Sequence, residues 1–186
     1  MRREAWLALA IVLAAGGGAA RSETTAVAEP PDYRMDDYRA PVPATVAGGN
    51  AIGTDEAKRL WQEKRAVFVD VLPAPRRPEG LRPDAIWKPL PRNDIPGSLW
   101  LPDVGRGALG TEIEAYFRDN LARATAGDKA VPLVLYCLAD CWMSWNATRR
   151  AASWGYTQLY WYRDGTTGWE AAGLPTAEAT PAAGRP

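Results

Sequence analysis

Three short apolar runs constrain the fold of this chain more than any other feature: "AVFVDV" (Ala66 to Val71), "VPLVLYC" (Val131 to Cys137) and "QLYWY" (Gln158 to Tyr162). Each is too short for a stable helix. Their composition suits strands covered on both faces. The segments between them carry the helical period instead. "DEAKRLWQEKR" follows Thr54, a candidate cap, and puts Ala57, Leu60 and Trp61 on one face. "GTEIEAYFRDNLARATAGD" aligns Ile113, Tyr116, Phe117 and Leu121, with Gly127 as its stop. "SWNATRRAASWG" ends at Gly155, and "TGWEAAGLPT" reads as a short final helix. Strands alternating with helices predict an α/β domain in three layers, with a central, mainly parallel sheet between helices.

Outside that unit the character of the chain changes. Residues 1–20 run from Arg2 and Arg3 through an apolar stretch, Trp6 to Ala15, to small residues ending at Ala20. This order predicts a secretory signal peptide, and the apolar stretch is shorter than the roughly 18 residues of a membrane span. Export is the expectation, with no membrane span after signal removal. Residues 21–49, "AEPPDYRMDDYRAPVPATVAGGN" included, read as an extended arm, with Tyr33, Met35, Tyr38 and Val42 apolar enough to let it lie along the domain surface. The domain itself is expected over 50–176, and the Pro/Ala-rich tail, 177–186, is expected to be disordered.

Composition removes several function classes. The chain has no histidine, which rules out Cys-His and Ser-His catalysis and leaves two thiols as a poor metal site. No metal is expected. With 22 Lys and Arg against 22 Asp and Glu, the chain presents no charge excess to attract nucleic acid or an anionic membrane. "GGNAIG" lacks a preceding strand run, so no dinucleotide site is expected, and no pattern for covalent cofactor attachment occurs. No cofactor is expected. Of the nine tryptophans, Trp142, Trp145, Trp154, Trp161 and Trp169 follow the second cysteine and suit a core role.

That leaves "LVLYCLADCWMSWNATRRA", which holds the chain's only cysteines, Cys137 and Cys141. Ligands of an open parallel sheet bind beyond the carboxyl ends of its strands, where Cys137 falls. A curled loop of Leu138, Ala139, Asp140, Trp142, Met143 and Ser144, opening a helix, would favour a thiolate at Cys137. For Cys141 three readings stand: a short structural disulfide, a partner that resolves a disulfide or persulfide on Cys137, or an independent thiol. Trp142 either shields the sulfur or packs on the helix.

The order "FVDV", "DIPGSLWLP", a helix, "VPLVLYC", a helix ending "WGY", then "DGTTGWEAAGLP" resembles a rhodanese domain over about Thr54 to Thr176. "YRMDDYRAPVP" and "CLADCWMSWNA" further resemble the CxxCW-motif proteins associated with pyrroloquinoline quinone (PQQ)-dependent catabolism. The first resemblance implies a rhodanese-like fold and a reactive sulfur at Cys137. The second implies a periplasmic protein found with a quinoprotein dehydrogenase, a c-type cytochrome or a maturation factor.

The chain also departs from these patterns. Three residues separate its cysteines where the motif name implies two, Leu72 stands where many relatives have arginine, and Asp94 where the usual residue is histidine. The loop carries Asp140 and no cation, so any anion contact has to come from the long loop, from Arg76 or Arg77, or from Lys88 or Arg92. No arginine closes the loop as a phosphatase requires; Ser144 or Trp145 stands there. The expected function is therefore sulfur transfer, with a small sulfur donor, or thiol-disulfide chemistry at Cys137 and Cys141. The alternative is an inactive docking or maturation module.

Overall fold

The computed structural model describes residues 27–186. The expected signal peptide lies outside the described residues. Strands β1 (Asn50–Ile52), β2 (Val67–Asp70), β3 (Arg92–Asp94), β4 (Leu99–Trp100), β5 (Leu133–Tyr136), β6 (Leu159–Tyr162) and β7 (Ala177–Ala179) alternate with helices α1 (Thr54–Gln62), α2 (Thr111–Ala124), α3 (Trp142–Ser153) and α4 (Gly165–Ala171). Five strands form one parallel sheet in the order β1-β6-β5-β2-β4, while β3 and β7 pair antiparallel beside it.

Strand β5 is central and buried along its whole length, which explains its uninterrupted apolar sequence. Its side chains alternate between two cores. Leu133 and Leu135, with Cys137 just beyond the strand, join Tyr116, Phe117 and Leu121 of α2 and Ala147 and Ala151 of α3. Val134 and Tyr136 face Ala57 and Leu60 of α1 and Trp169 of α4. Helices thus cover both faces, giving the expected three-layer α/β arrangement. Trp145, Trp161 and Trp169 are fully buried, each large enough to contribute roughly 1.5–3 kcal/mol by leaving water.

Two segments outside the expected domain pack onto it. In the arm, Val42 and Val46 are buried against Trp142, Trp145 and Trp161. At the other end, the tail was expected to be disordered and is not. Its strand β7 pairs with β3, the Ala182 amide donates to the Trp100 carbonyl at 2.9 Å, and Arg185 reaches Asp103 at 3.2 Å. Most of these bonds come from backbone groups, which a Pro/Ala composition does not advertise. The sequence reading also missed β1, β3 and β7, each of three residues and none carrying a long apolar run. Among the described residues no helix is long and apolar enough to cross a membrane.

Candidate functional site

The chain leaves the carboxyl end of β5 at Cys137 and re-enters a helix at Trp142, so Leu138, Ala139, Asp140 and Cys141 make the whole turn. Asp140 takes a left-handed conformation, φ 50°, which aspartate tolerates better than most residues. Cys141 is the N-cap of α3. The start of α4 braces the turn from below. The Thr166 amide donates to the Cys137 carbonyl at 3.0 Å, the Ala139 amide donates to Thr167 Oγ1 at 3.3 Å, and Leu138 bridges Gly165. Gly165 has φ 52° and lies so close that a Cβ there would collide with the Cys137 carbonyl.

This fold brings the two cysteines together, and both are free thiols. Cys137 is fully buried, and its Sγ donates to Ser144 Oγ at 3.1 Å and approaches the Cys141 carbonyl at 3.5 Å. Ser144 Oγ in turn donates to the Cys141 carbonyl at 3.3 Å and accepts from Trp161 Nε1 at 3.0 Å. Cys141 is 2% exposed.

Their acidities diverge. Burial pushes the Cys137 thiol well up, helped by the neighbouring Cys141 sulfur. Cys141 is instead lowered to about 6, chiefly by its neighbour Cys137, against the opposing effect of its own burial. The Met143 amide and the charge of Arg39 add to the lowering; the amide falls short of a formed cap bond. Burial thus opposes the thiolate expected at Cys137, and the thiol that is lowered is Cys141. Both sulfurs join the core against α2 and α3; Cys137 follows the strand and Cys141 stands at the helix start, where the backbone dipole favours an anion.

The rest of the turn is dispersed. Leu138 and Ala139 are half-buried, Asp140 is exposed, and Trp142, Met143 and Ser144 are buried in the first turn of α3. Among the described residues, Trp142 Nε1 is buried with no hydrogen-bond partner. Arg76 and Arg77 do not turn to the thiols: Arg76 pairs with Asp103 at 3.2 Å, and Arg77 donates to the carbonyls of Arg82 and Ala85. Arg92 of the same loop does come in, bonding Asp70 at 2.7 Å and Thr166 Oγ1 at 3.2 Å, and Thr166 Oγ1 reaches the Cys137 carbonyl at 3.3 Å. Asp70 is raised to about 6, by burial against the pull of Arg92. Beside it Asp94, in the histidine position of the resembled pattern, is raised to about 7 by burial and by the Asp70 charge.

Sequence reasoning missed how the arm closes the site. The Tyr38 carbonyl accepts the Trp142 amide at 2.9 Å. Asn146 pairs with both backbone groups of Arg34, accepting at 2.9 Å and donating at 2.8 Å, and Arg149 donates to the carbonyls of Pro30, Pro31 and Asp32. The only sequence signal was "YRMDDYRAPVP" itself, whose carbonyl contacts leave no residue pattern.

A family profile described as Rhodanese-like domain matches residues 53–172. Among solved structures, a thiosulfate sulfurtransferase from Pseudomonas aeruginosa is 20% identical over 72% of this chain, with a TM-score of 0.48. The chain spans only 21% of that protein's length. A polysulfide-sulfur transferase homodimer from Wolinella succinogenes is 17% identical, with 72% of this chain and 82% of that one aligned and a TM-score of 0.45. A rhodanese-like domain from an Anabaena protein is 19% identical over 71% of this chain and 84% of its own, at 0.45. No curated protein matches the sequence significantly.

Proposed function

Because the chain belongs to the rhodanese-like domain family, whose profile covers 53–172, we propose that it works as a two-thiol relay in which Cys141 attacks and Cys137 resolves. The observation that carries this reading is the pair of buried thiols brought together between a strand end and a helix start, Cys137 Sγ lying 3.5 Å from the Cys141 carbonyl; burial raises Cys137, and Cys141 is lowered. The Cys141 thiolate attacks one sulfur of a partner disulfide. A new sulfur-sulfur bond forms, and the partner's other sulfur leaves as a thiolate with the bonding electrons. The Cys137 proton passes to that leaving thiolate, and the Cys137 sulfur then attacks Cys141 Sγ. The intramolecular disulfide forms and the partner's remaining thiolate departs. The pair has lost two electrons and the partner disulfide has become two thiols. A persulfide or polysulfide donor enters by the same first step.

Support for thiosulfate as the usual substrate is weaker. The turn offers Asp140 as its charged residue, and Arg76 and Arg77 are engaged elsewhere. The setting we propose is export to the periplasm, alongside PQQ-dependent alcohol oxidation with a quinoprotein dehydrogenase, its c-type cytochrome or a maturation factor as partner. The order of residues 1–20 supports export, and the resemblance of "YRMDDYRAPVP" and "CLADCWMSWNA" supports the pathway.

Intact-mass measurement of the exported protein, alkylated with and without reductant and after exposure to oxidised glutathione, tests the chemistry. A disulfide that forms and is reduced again in the folded protein is expected. Burial of both thiols favours one other reading, an inactive docking module. Thiols that never oxidise, or a bridge that resists reduction until unfolding, would establish that reading in place of the relay.

A further inference from the structure

The Cys137 sulfur has to lose its proton before it can resolve an adduct, and it lies fully buried in the apolar core, where a bare thiolate is costly. Among the described residues three oxygens stand within bonding distance of it. Two are carbonyls that can only accept, Leu138 at 3.8 Å and Cys141 at 3.5 Å. The third is Ser144 Oγ at 3.1 Å, which can also donate.

Ser144 is itself fully buried, and its hydroxyl is fully used. It accepts from Cys137 Sγ and from Trp161 Nε1, the latter at 3.0 Å, and it donates to the Cys141 carbonyl at 3.3 Å. One proton and two lone pairs are thereby all engaged. The three bonds differ in what can be exchanged. Trp161 Nε1 only donates, so it pins the oxygen whichever way the hydroxyl proton points. The bond to the carbonyl is the longest of the three, well beyond the roughly 2.7–2.8 Å usual between a hydroxyl and an oxygen acceptor. The contact with Cys137 reverses direction once the sulfur is an anion, because the hydroxyl then becomes its donor.

We infer that Ser144 is the switch of the resolving step: its hydroxyl, pinned by Trp161, turns from the Cys141 carbonyl to the Cys137 sulfur as that sulfur becomes a thiolate, and turns back when the disulfide forms. This rests on the relay reading, in which Cys137 resolves. The proton that Cys137 loses goes to the departing thiolate, and Ser144 keeps its own. Its contribution is a charge-assisted hydrogen bond to a sulfur that burial otherwise holds protonated. Donation from Trp161 into the same oxygen makes the hydroxyl a stronger donor. Ser144 is also the residue that works against the rise of the Cys137 thiol.

Two measurements test this. In Cys141→Ser, where no relay can run, the rate of Cys137 alkylation by iodoacetamide at fixed pH reads its thiolate. Adding Ser144→Ala is expected to slow that rate about tenfold, and Ser144→Thr, which keeps a hydroxyl on the same turn of α3, is expected to restore it. Alanine favours the helix, and looser packing would speed alkylation, so the direction of the change separates loss of a donor from loss of structure. An unchanged or faster rate in Ser144→Ala overturns the inference. So does equal slowing in Ser144→Thr. In the chain with both cysteines, reduced Ser144→Ala exposed to oxidised glutathione is expected to accumulate a mixed disulfide on Cys141, with the ratio of resolution rate to attack rate about tenfold below wild type. An unchanged ratio also overturns the inference. A wild-type pair that never cycles with oxidised glutathione sinks the relay itself, whereas a wild type that cycles beside a Ser144→Ala variant of equal ratio removes the role of Ser144 alone.

Discussion

The carbonyl of Tyr38 accepts the amide of Trp142 at 2.9 Å, which makes the N-terminal arm the closing group of the helix that Cys141 caps. One of the free donors at a helix start is thereby satisfied from a segment about a hundred residues away in sequence.

Asn146 is the latch of that arrangement. It is fully buried and bonds both backbone groups of Arg34, with a third bond to the Gly105 carbonyl at 3.0 Å. Asn146→Ala removes all three and strands the Gly105 carbonyl in the interior. A loss of about 2–4 kcal/mol in unfolding free energy is expected, together with faster protease cleavage between Tyr33 and Val42 and faster alkylation of Cys141. Denaturant unfolding and limited proteolysis read the first two, and peptide mapping the third. Alkylation at the wild-type rate would show that the arm does not guard the sulfur.

Which parts of this were legible in the sequence follows from what each part is made of. The runs around Val69, Leu135 and Trp161 declared buried strands because every side chain there faces a covered layer. The cysteine turn declared itself because a strand end and a helix start are both readable. The arm declared only its apolar contacts, Tyr38 and Val42 among them, and the tail declared nothing. The bonds that fix them run largely through backbone groups of Tyr38, Arg34 and Ala182, which are the same whatever the side chain. The division of roles proposed for Cys137 and Cys141 was hidden for another reason. It depends on what surrounds each sulfur, and four residues of turn geometry are not encoded in any periodic pattern.

Asp94 and Asp70 set a pH dependence of stability. Burial, with the Asp70 charge added, raises Asp94 to about 7, and burial raises Asp70 to about 6 despite Arg92. The folded state therefore holds protons that the unfolded chain has released above its ordinary carboxylate value of 3.8. The stabilisation from these groups is complete below that value and is lost as pH rises through about 6 to about 7. Thermal unfolding at about pH 5 and about pH 8 should show the protein less stable at the higher pH, by about 1–2 kcal/mol. Asp94→Asn, permanently neutral, should flatten most of this slope. A slope of opposite sign would mean that Arg92 outweighs burial.

Arg92 answers Asp70 within the same cluster, with Nε 2.7 Å from Oδ2. Asp70 is completely buried, and its one other donor among the described residues is the Leu72 amide at 2.9 Å. Arg92→Met should cost about 3–5 kcal/mol at neutral pH by leaving that carboxylate uncompensated. The same change should also loosen Thr166, which links Arg92 to the Cys137 carbonyl. Adding Asp70→Asn to Arg92→Met should recover most of the stability, since it removes the buried charge. Denaturant titration of the two single variants and the double variant measures the coupling, and additive losses would show that the pair is not a unit.

The two cysteine variants should behave unlike each other. In the relay, Cys141 takes the first adduct and Cys137 releases it. Cys137→Ser keeps the sulfur at the helix start while removing the resolving one, so a mixed disulfide with glutathione should accumulate and persist on Cys141. Its midpoint should also rise, because the Cys137 thiol is the largest contribution holding it down. Cys141→Ser leaves a sulfur that is buried, protonated and bonded to Ser144 at 3.1 Å. Its glutathionylation at neutral pH should be at least about tenfold slower than that of Cys137→Ser, in proportion to the smaller thiolate fraction. Intact-mass time courses compare the two. Faster adduct formation on Cys137 would return the attacking role to the sulfur at the strand end and leave Cys141 to resolve it.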